Sequence, residues 1–245
     1  IGIVFNTFNF LFYNNVLGLS GTLTGLAVTI AVIFDAVSDP VMGSISDRWR
    51  SKLGRRHPFL YLSAIPLGLC FFAVYSPPVG LDQLGLFLWF TVFTIGLRIS
   101  LTFYHVPHLA LGAELSDDYK ERSVIYAYNS IFMMIGGSIA YFASWTWFSS
   151  AEGGVNEPTN FFAIGLFVGF LSCIVVLISA HFTRDQIPFL KKVTANLPPF
   201  SIKQLAIDIS SCFQNRNYIW LLLGLLCISA TNGVREAMGA YVNLF

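Results

Sequence analysis

Long apolar runs, punctuated by short polar segments, make up most of this chain. A helix needs about 20 largely apolar residues to cross the hydrocarbon core of a bilayer. Runs of that kind predict helices over Ile1–Tyr13, Gly21–Ser46, Pro58–Tyr75, Leu84–Leu111, Ser123–Phe148, Thr159–His181 and Tyr218–Phe245. The third, fifth and sixth contain no Asp, Glu, Lys or Arg. Within the runs, Gly136-Gly137 and Gly165-x-x-x-Gly169 mark points where helices approach closely. Tyr141, Trp145 and Trp147, near the end of the fifth run, are spaced as an interfacial aromatic belt.

Composition narrows the class. Of 245 residues, 55% are hydrophobic and 11% charged, against roughly 25% charged in soluble domains. With a mean hydropathy of +0.67, the polar surface is too small to cover a water-soluble sphere. That excludes a cytosolic enzyme and a disordered chain. A formal net charge of +1 offers no field for a polyanion, so no nucleic-acid partner is expected. Cys70, Cys173, Cys212 and Cys227 lie far apart without a CxxC pair and read as packing residues. No nucleophile–base arrangement, phosphate loop or metal-ligand cluster appears, so neither an enzyme nor a cofactor is expected. Ile1, which is not Met, already stands inside an apolar run and Phe245 stands inside another, as in a piece of a longer polypeptide.

Loop charges predict the orientation. Twelve of the fourteen Lys and Arg residues fall in Asp47–His57, Gly112–Arg122 and Thr183–Asn217. The alternate loops, Asn14–Ser20, Ser76–Gln83 and Ser149–Pro158, carry none. Short-loop basic residues stay on the cytoplasmic side. The amino terminus is therefore expected in the cytoplasm and the protein in the plasma (inner) membrane. Six helices (1–182), a cytoplasmic linker (183–217) holding a weakly amphipathic piece at Ser201–Phe213, and the start of a seventh helix (218–245) form the layout of a transporter built from two six-helix halves. A complete seven-helix protein is the alternative.

Charges remain inside the runs: Asp35, Asp39, Arg98, Arg235 and Glu236. Each costs about 2.5–3.5 kcal/mol at the bilayer centre, so these residues face the bundle interior and are candidates for function. Asp35 and Asp39 are four apart and share one helix face, with the Ser38 hydroxyl beside them. Such an oxygen-rich site suits Na⁺, Li⁺ or a shared proton. Alternatively, each Asp pairs with a buried Arg, or Asp39, just before Pro40, caps a broken helix. On the fourth helix Arg98, Thr102, His105 and Leu109 line one face. Thr102 can complete the oxygen site, while Arg98 and His105 suit an anionic or hydroxyl-rich substrate. The other reading of Arg98 is a counter-ion for Asp35 or Asp39 without substrate contact. His108 reads as a packed residue.

Two stretches then point to a family. Asp35-Ala-Val-Ser-Asp-Pro-Val-Met-Gly43, followed by Ser46-Asp-Arg48 and Gly54-Arg-Arg-His-Pro58, is the first. The second is Pro107-His-Leu-Ala-Leu-Gly-Ala-Glu-Leu-Ser-Asp-Asp-Tyr-Lys-Glu-Arg122. Together they resemble the glycoside–pentoside–hexuronide:cation symporters, the melibiose permease group of the major facilitator superfamily. The resemblance implies an all-α membrane bundle, here the amino-terminal six-helix half of a twelve-helix transporter plus its seventh helix. It implies a cation site at Asp35, Ser38, Asp39 and Thr102, with Ser38 in place of the family's asparagine. It also implies substrate positions at His105, Leu109, and Asn129 or Ser130, where the family's galactoside-binding side chains are replaced. Asp47, Arg48, Arg55, Arg56, Glu114 and Arg122 would form the cytoplasmic charge latch. The expected activity is Na⁺- or H⁺-coupled symport of a sugar or sugar derivative such as a uronide, by a monomer using alternating access. A uniporter, or a carrier of lipid or another solute, is the alternative on the same scaffold.

Overall fold

A computed structural model describes residues 1–189, 201, 207 and 210–242, with side chains described except at 188–189 and 235–242. The apolar runs form helices: α1 (Gly2–Phe10), continued by a π-helical segment (Leu11–Val16), α2 (Gly21–Arg48), α3 (His57–Val74), α4 (Gln83–Glu114), α5 (Tyr119–Ser150), α6 (Pro158–Phe182) and α7 (Arg216–Val242). Short 3₁₀ segments cover Gly154–Asn156 and Arg184–Phe189. Among the described residues six helices, α2 to α6 and Arg216–Val234 of α7, are long and apolar enough to cross a membrane. This is an all-helical, multi-pass membrane protein.

Caps set the starts. Ser20 accepts from Leu23 N, Asp82 from Gly85 N, and Asp118 from Lys120 N, each satisfying an orphan donor. Pro58 and Pro158 sit in first turns, where no N–H is needed. Asp118 starts α5 at Tyr119, ahead of the predicted Ser123, and α4 runs on to Glu114 beyond Leu111. Backbone hydrogen bonding does not stop where the apolar run stops. Most of the predicted amphipathic piece Ser201–Phe213 lies outside the described residues.

Helix packing follows the small residues. α2 lies along α4, and α3 lies between α4 and α6. A Cβ on Gly68 would stand 2.7 Å from Gly169 O, and one on Gly169 would stand 2.7 Å from Gly68 O. On Gly165 a Cβ would meet Tyr75 Cβ at 2.8 Å. The small-residue motif thus brings the α3 and α6 backbones together, where dispersion contacts replace the hydrophobic drive that lipid removes. Of the glycine pair on α5, Gly137 faces the Ile3 side chain while Gly136 is open.

Aromatic rings fill the core beside α1. Tyr13 stacks on Phe90 at 3.9 Å and Phe12 on Phe161 at 4.5 Å, and the Tyr13 hydroxyl donates to Val74 O at 2.7 Å. The predicted aromatic belt is divided. Trp147 points outward, whereas Trp145 turns inward against Phe8 at 5.4 Å, because α1 needs aromatic surface to pack on. At this end Gln83 bridges two of the loops that lack basic residues, donating to Gly18 O at 2.7 Å and accepting from Ser20 N at 3.0 Å.

Candidate functional site

α2 passes Pro40 without a break. Asp39 is therefore an interior helical residue rather than a cap, and its carboxylate is free for tertiary contacts. One turn apart, Asp35 and Asp39 both reach Thr102 on α4. The buried Thr102 Oγ1 lies 3.1 Å from Asp35 Oδ1 and 2.8 Å from Asp39 Oδ1. Ser38 Oγ stands 3.2 Å from the same hydroxyl and also 3.2 Å from Asp35 O. All four residues expected in the cation site meet around one hydroxyl oxygen. Two carboxylate and two hydroxyl oxygens from two helices form a hard donor set suited to a small monovalent cation or a proton.

Arg98, one turn from Thr102, donates from Nη1 to Asp35 Oδ2 at 3.3 Å. Its guanidinium also lies over the Phe5 ring of α1, 6.0 Å from the centroid, a cation–π contact. Phe5 was invisible as a site residue in the sequence, being one ring among many in the first apolar run.

The expected substrate positions are not drawn together. His105 and Leu109 are exposed along α4, and Leu109 O accepts from the Tyr126 hydroxyl at 2.9 Å. Asn129 is half-buried, and the Ser130 hydroxyl turns back to Tyr126 O at 2.9 Å. Among the described residues no hydrogen bond or ion pair joins His105, Asn129 or Ser130 to Arg98. His108 packs on Tyr104, ring centroids 5.0 Å apart. The side chains of Arg235 and Glu236 lie outside the described residues.

A second charged cluster closes the basic end of the bundle. Arg56, 4% exposed, donates to Ser46 Oγ at 2.6 Å, Asp47 Oδ1 at 2.5 Å and Glu114 Oε1 at 2.8 Å. Arg55 joins Glu114 through Nη2 at 2.7 Å. Glu114 thus pairs with two guanidinium groups, Asp47 supplying a second negative charge, and ties the α2–α3 loop to the end of α4. Of the six expected latch residues, Asp47, Arg55, Arg56 and Glu114 meet here. Arg48 donates to Ser44 O at 2.9 Å and to the Ser44 hydroxyl, and Arg122 Nη2 donates to Asp117 O at 3.3 Å. Nearby, the buried His57 shares a hydrogen bond with Thr183 Oγ1 at 3.1 Å, joining α3 to the end of α6. No local pattern of residues marks that contact, which joins positions 126 apart.

Known proteins are similar to this chain in sequence. A putative glycoside/cation symporter of Escherichia coli, YagG, is 32% identical over 231 residues, covering 94% of this chain and 48% of its own length. An uncharacterised symporter of Synechocystis, sll1374, is 33% identical over 69% of this chain and 32% of its own length. The lactose permease of Leuconostoc lactis is 24% identical over 88% of this chain and 35% of its own. The chain thus spans half or less of these relatives. The family described as MFS/sugar transport protein matches residues 1–245, and the chain belongs to it, among the melibiose-permease-like symporters.

Proposed function

We propose that the whole protein is a cation-coupled secondary symporter for a sugar or sugar derivative, working by alternating access. The observation that carries this reading is the convergence of Asp35, Ser38 and Asp39 on Thr102. Two carboxylates in a membrane helix are costly, and a uniporter has no use for them. In a symporter a bound cation offsets the negative charge left on the pair and permits the occluded state, so cation and substrate favour each other's binding, typically by about 1–3 kcal/mol. The family and the names of the relatives support the sugar class. Residues 1–182 act as the amino-terminal six-helix half, 183–217 as a cytoplasmic linker, and 218–245 as the first helix of the second half. The basic end lies in the cytoplasm of a plasma-membrane monomer, and Asp47, Arg55, Arg56 and Glu114 latch one conformation.

Two substrate classes divide on Arg98. A free guanidinium suits a carboxylate and hence a uronide, whereas a guanidinium engaged by Asp35 suits a neutral sugar. The 3.3 Å contact between Arg98 and Asp35 favours the neutral sugar. Counterflow and ion-driven uptake of neutral glycosides and matched uronides, by the full-length protein in vesicles, test the proposal. Asp35→Asn is expected to abolish uphill accumulation while leaving some cation-independent exchange. Full uphill transport by that variant removes the carboxylate site from the mechanism, and preference for uronides removes the neutral substrate.

A further inference from the structure

Given cation-coupled symport as proposed above, we infer that Arg98 is a tethered counter-ion for Asp35, and that the mobile cation is held by Asp39. The two carboxylates are not equivalent. Asp35 has a guanidinium 3.3 Å from Oδ2, and that guanidinium also lies over the Phe5 ring, 6.0 Å from the centroid. Asp39 is exposed, and among the described residues no cationic group lies within ion-pair distance of it. Its contact is the Thr102 hydroxyl, at 2.8 Å.

Thr102 carries one hydroxyl hydrogen, yet oxygens of both carboxylates lie within hydrogen-bond reach of it. That hydrogen serves one of them at a time, so two negative oxygens converge on one donor. Positive charge from elsewhere must balance them. Arg98 supplies one unit at Asp35, which leaves a net single negative charge on the Asp39 side, matched by one monovalent cation. The other titratable group on the facing stripe of α4 is His105, which is exposed and one turn further along. α1 and its π-helical continuation carry no acidic or basic side chain, and their one titratable side chain, Tyr13, is occupied with Val74 O.

Arg98 then sets how strongly and how many cations bind. Without it the pair carries two uncompensated charges and cation affinity rises. Without Asp35 alone, the freed guanidinium turns to Asp39, which shares the Thr102 hydroxyl with Asp35, and excludes the mobile cation. Without both, Asp39 stands alone with its single charge and binding returns.

Cation titration of the purified full-length protein tests this without knowledge of the substrate. Na⁺, Li⁺ and H⁺ are each varied against choline at constant ionic strength, with thermal unfolding as the readout, and the ion that stabilises the wild type is used for the variants. Arg98→Gln is expected to bind that ion at least about tenfold more tightly, the effect of one added charge at short range. Arg98→Lys should remain near wild type, Asp35→Asn and Asp39→Asn should each lose the response, and Asp35→Asn/Arg98→Gln should regain it to within about threefold. A double variant as unresponsive as Asp35→Asn, beside an Arg98→Gln of wild-type affinity, overturns the assignment and makes Asp35 an ion ligand. The unfolding curves themselves report whether each variant is folded. A wild type that responds to no cation overturns the symport reading together with this one.

Discussion

Thr102 has a role that its residue type alone does not announce. A helix-interior threonine usually returns its hydroxyl to the backbone one turn back, as Thr29 does to Gly25 O. Thr102 instead spends it on Asp35 and Asp39. A hydrogen bond to a charged group contributes about 1.5–3 kcal/mol. Thr102→Val is therefore expected to weaken the cation affinity of uptake about tenfold or more, while Thr102→Ser stays near wild type. A cation titration of transport measures both, and an unaltered Thr102→Val would remove the hydroxyl from the site. Glu114 offers a test of the opposite kind. It is the shared partner of Arg55 and the buried Arg56, so Glu114→Gln leaves uncompensated guanidinium charge at the helix ends. Breaking a buried pair costs about 3–5 kcal/mol, and a clear fall in the unfolding temperature in detergent is expected.

Between elements, backbone proximity decides what is tolerated. Gly68 and Gly169 leave no room for a methyl group, since the nearest atoms are opposing carbonyl oxygens that cannot swing aside. Gly68→Ala and Gly169→Ala should force α3 and α6 apart and destabilise by about 1–3 kcal/mol, as overpacking does. Gly25 on α2 has nothing within 4 Å of an added Cβ. Gly25→Ala should be neutral, or stabilising by up to about 1 kcal/mol through helix propensity. Thermal unfolding of the three variants side by side separates close packing from propensity. Equal behaviour would show that the glycine contacts are not what holds α3 to α6. The same helix pair is joined at its basic end by His57 and Thr183, so Thr183→Val should cost about 1 kcal/mol.

For the whole molecule the arrangement of charge predicts the orientation. The segment bearing Arg55 and Arg56 closes one end of the bundle, and the loops bridged by Gln83 close the other. On the rule that basic short loops remain inside, cysteines introduced at Arg50 and Lys192 should react only with reagents that reach the cytoplasm. Cysteines at Asp82 and Glu152 should react from outside intact cells. External labelling at position 50 or 192 would invert the topology and take the proposed latch to the wrong side of the membrane.

Much of this protein was legible in the residue order, for physical reasons that are local. An apolar run long enough to cross a bilayer has one cheap backbone solution, a helix, because each N–H finds its acceptor four residues back. The seven runs, their order and the oxygen-bearing face of Asp35, Ser38 and Asp39 all follow from that rule, and the alternation of loops with and without basic residues is read directly from the residue order. Tertiary structure decided which side chains share a charge. Spacing placed Arg98, Thr102, His105 and Leu109 on one stripe, but helix–helix packing turned the first two onto the α2 carboxylates and left the last two exposed. It drew Trp145 inward and set Phe5 beneath Arg98. It also allowed α2 to continue through Pro40, freeing Asp39 from a capping role. Those outcomes depend on the approach and rotation of neighbouring helices, which side-chain volumes and the glycine contacts fix jointly, and no periodicity within a single helix encodes them.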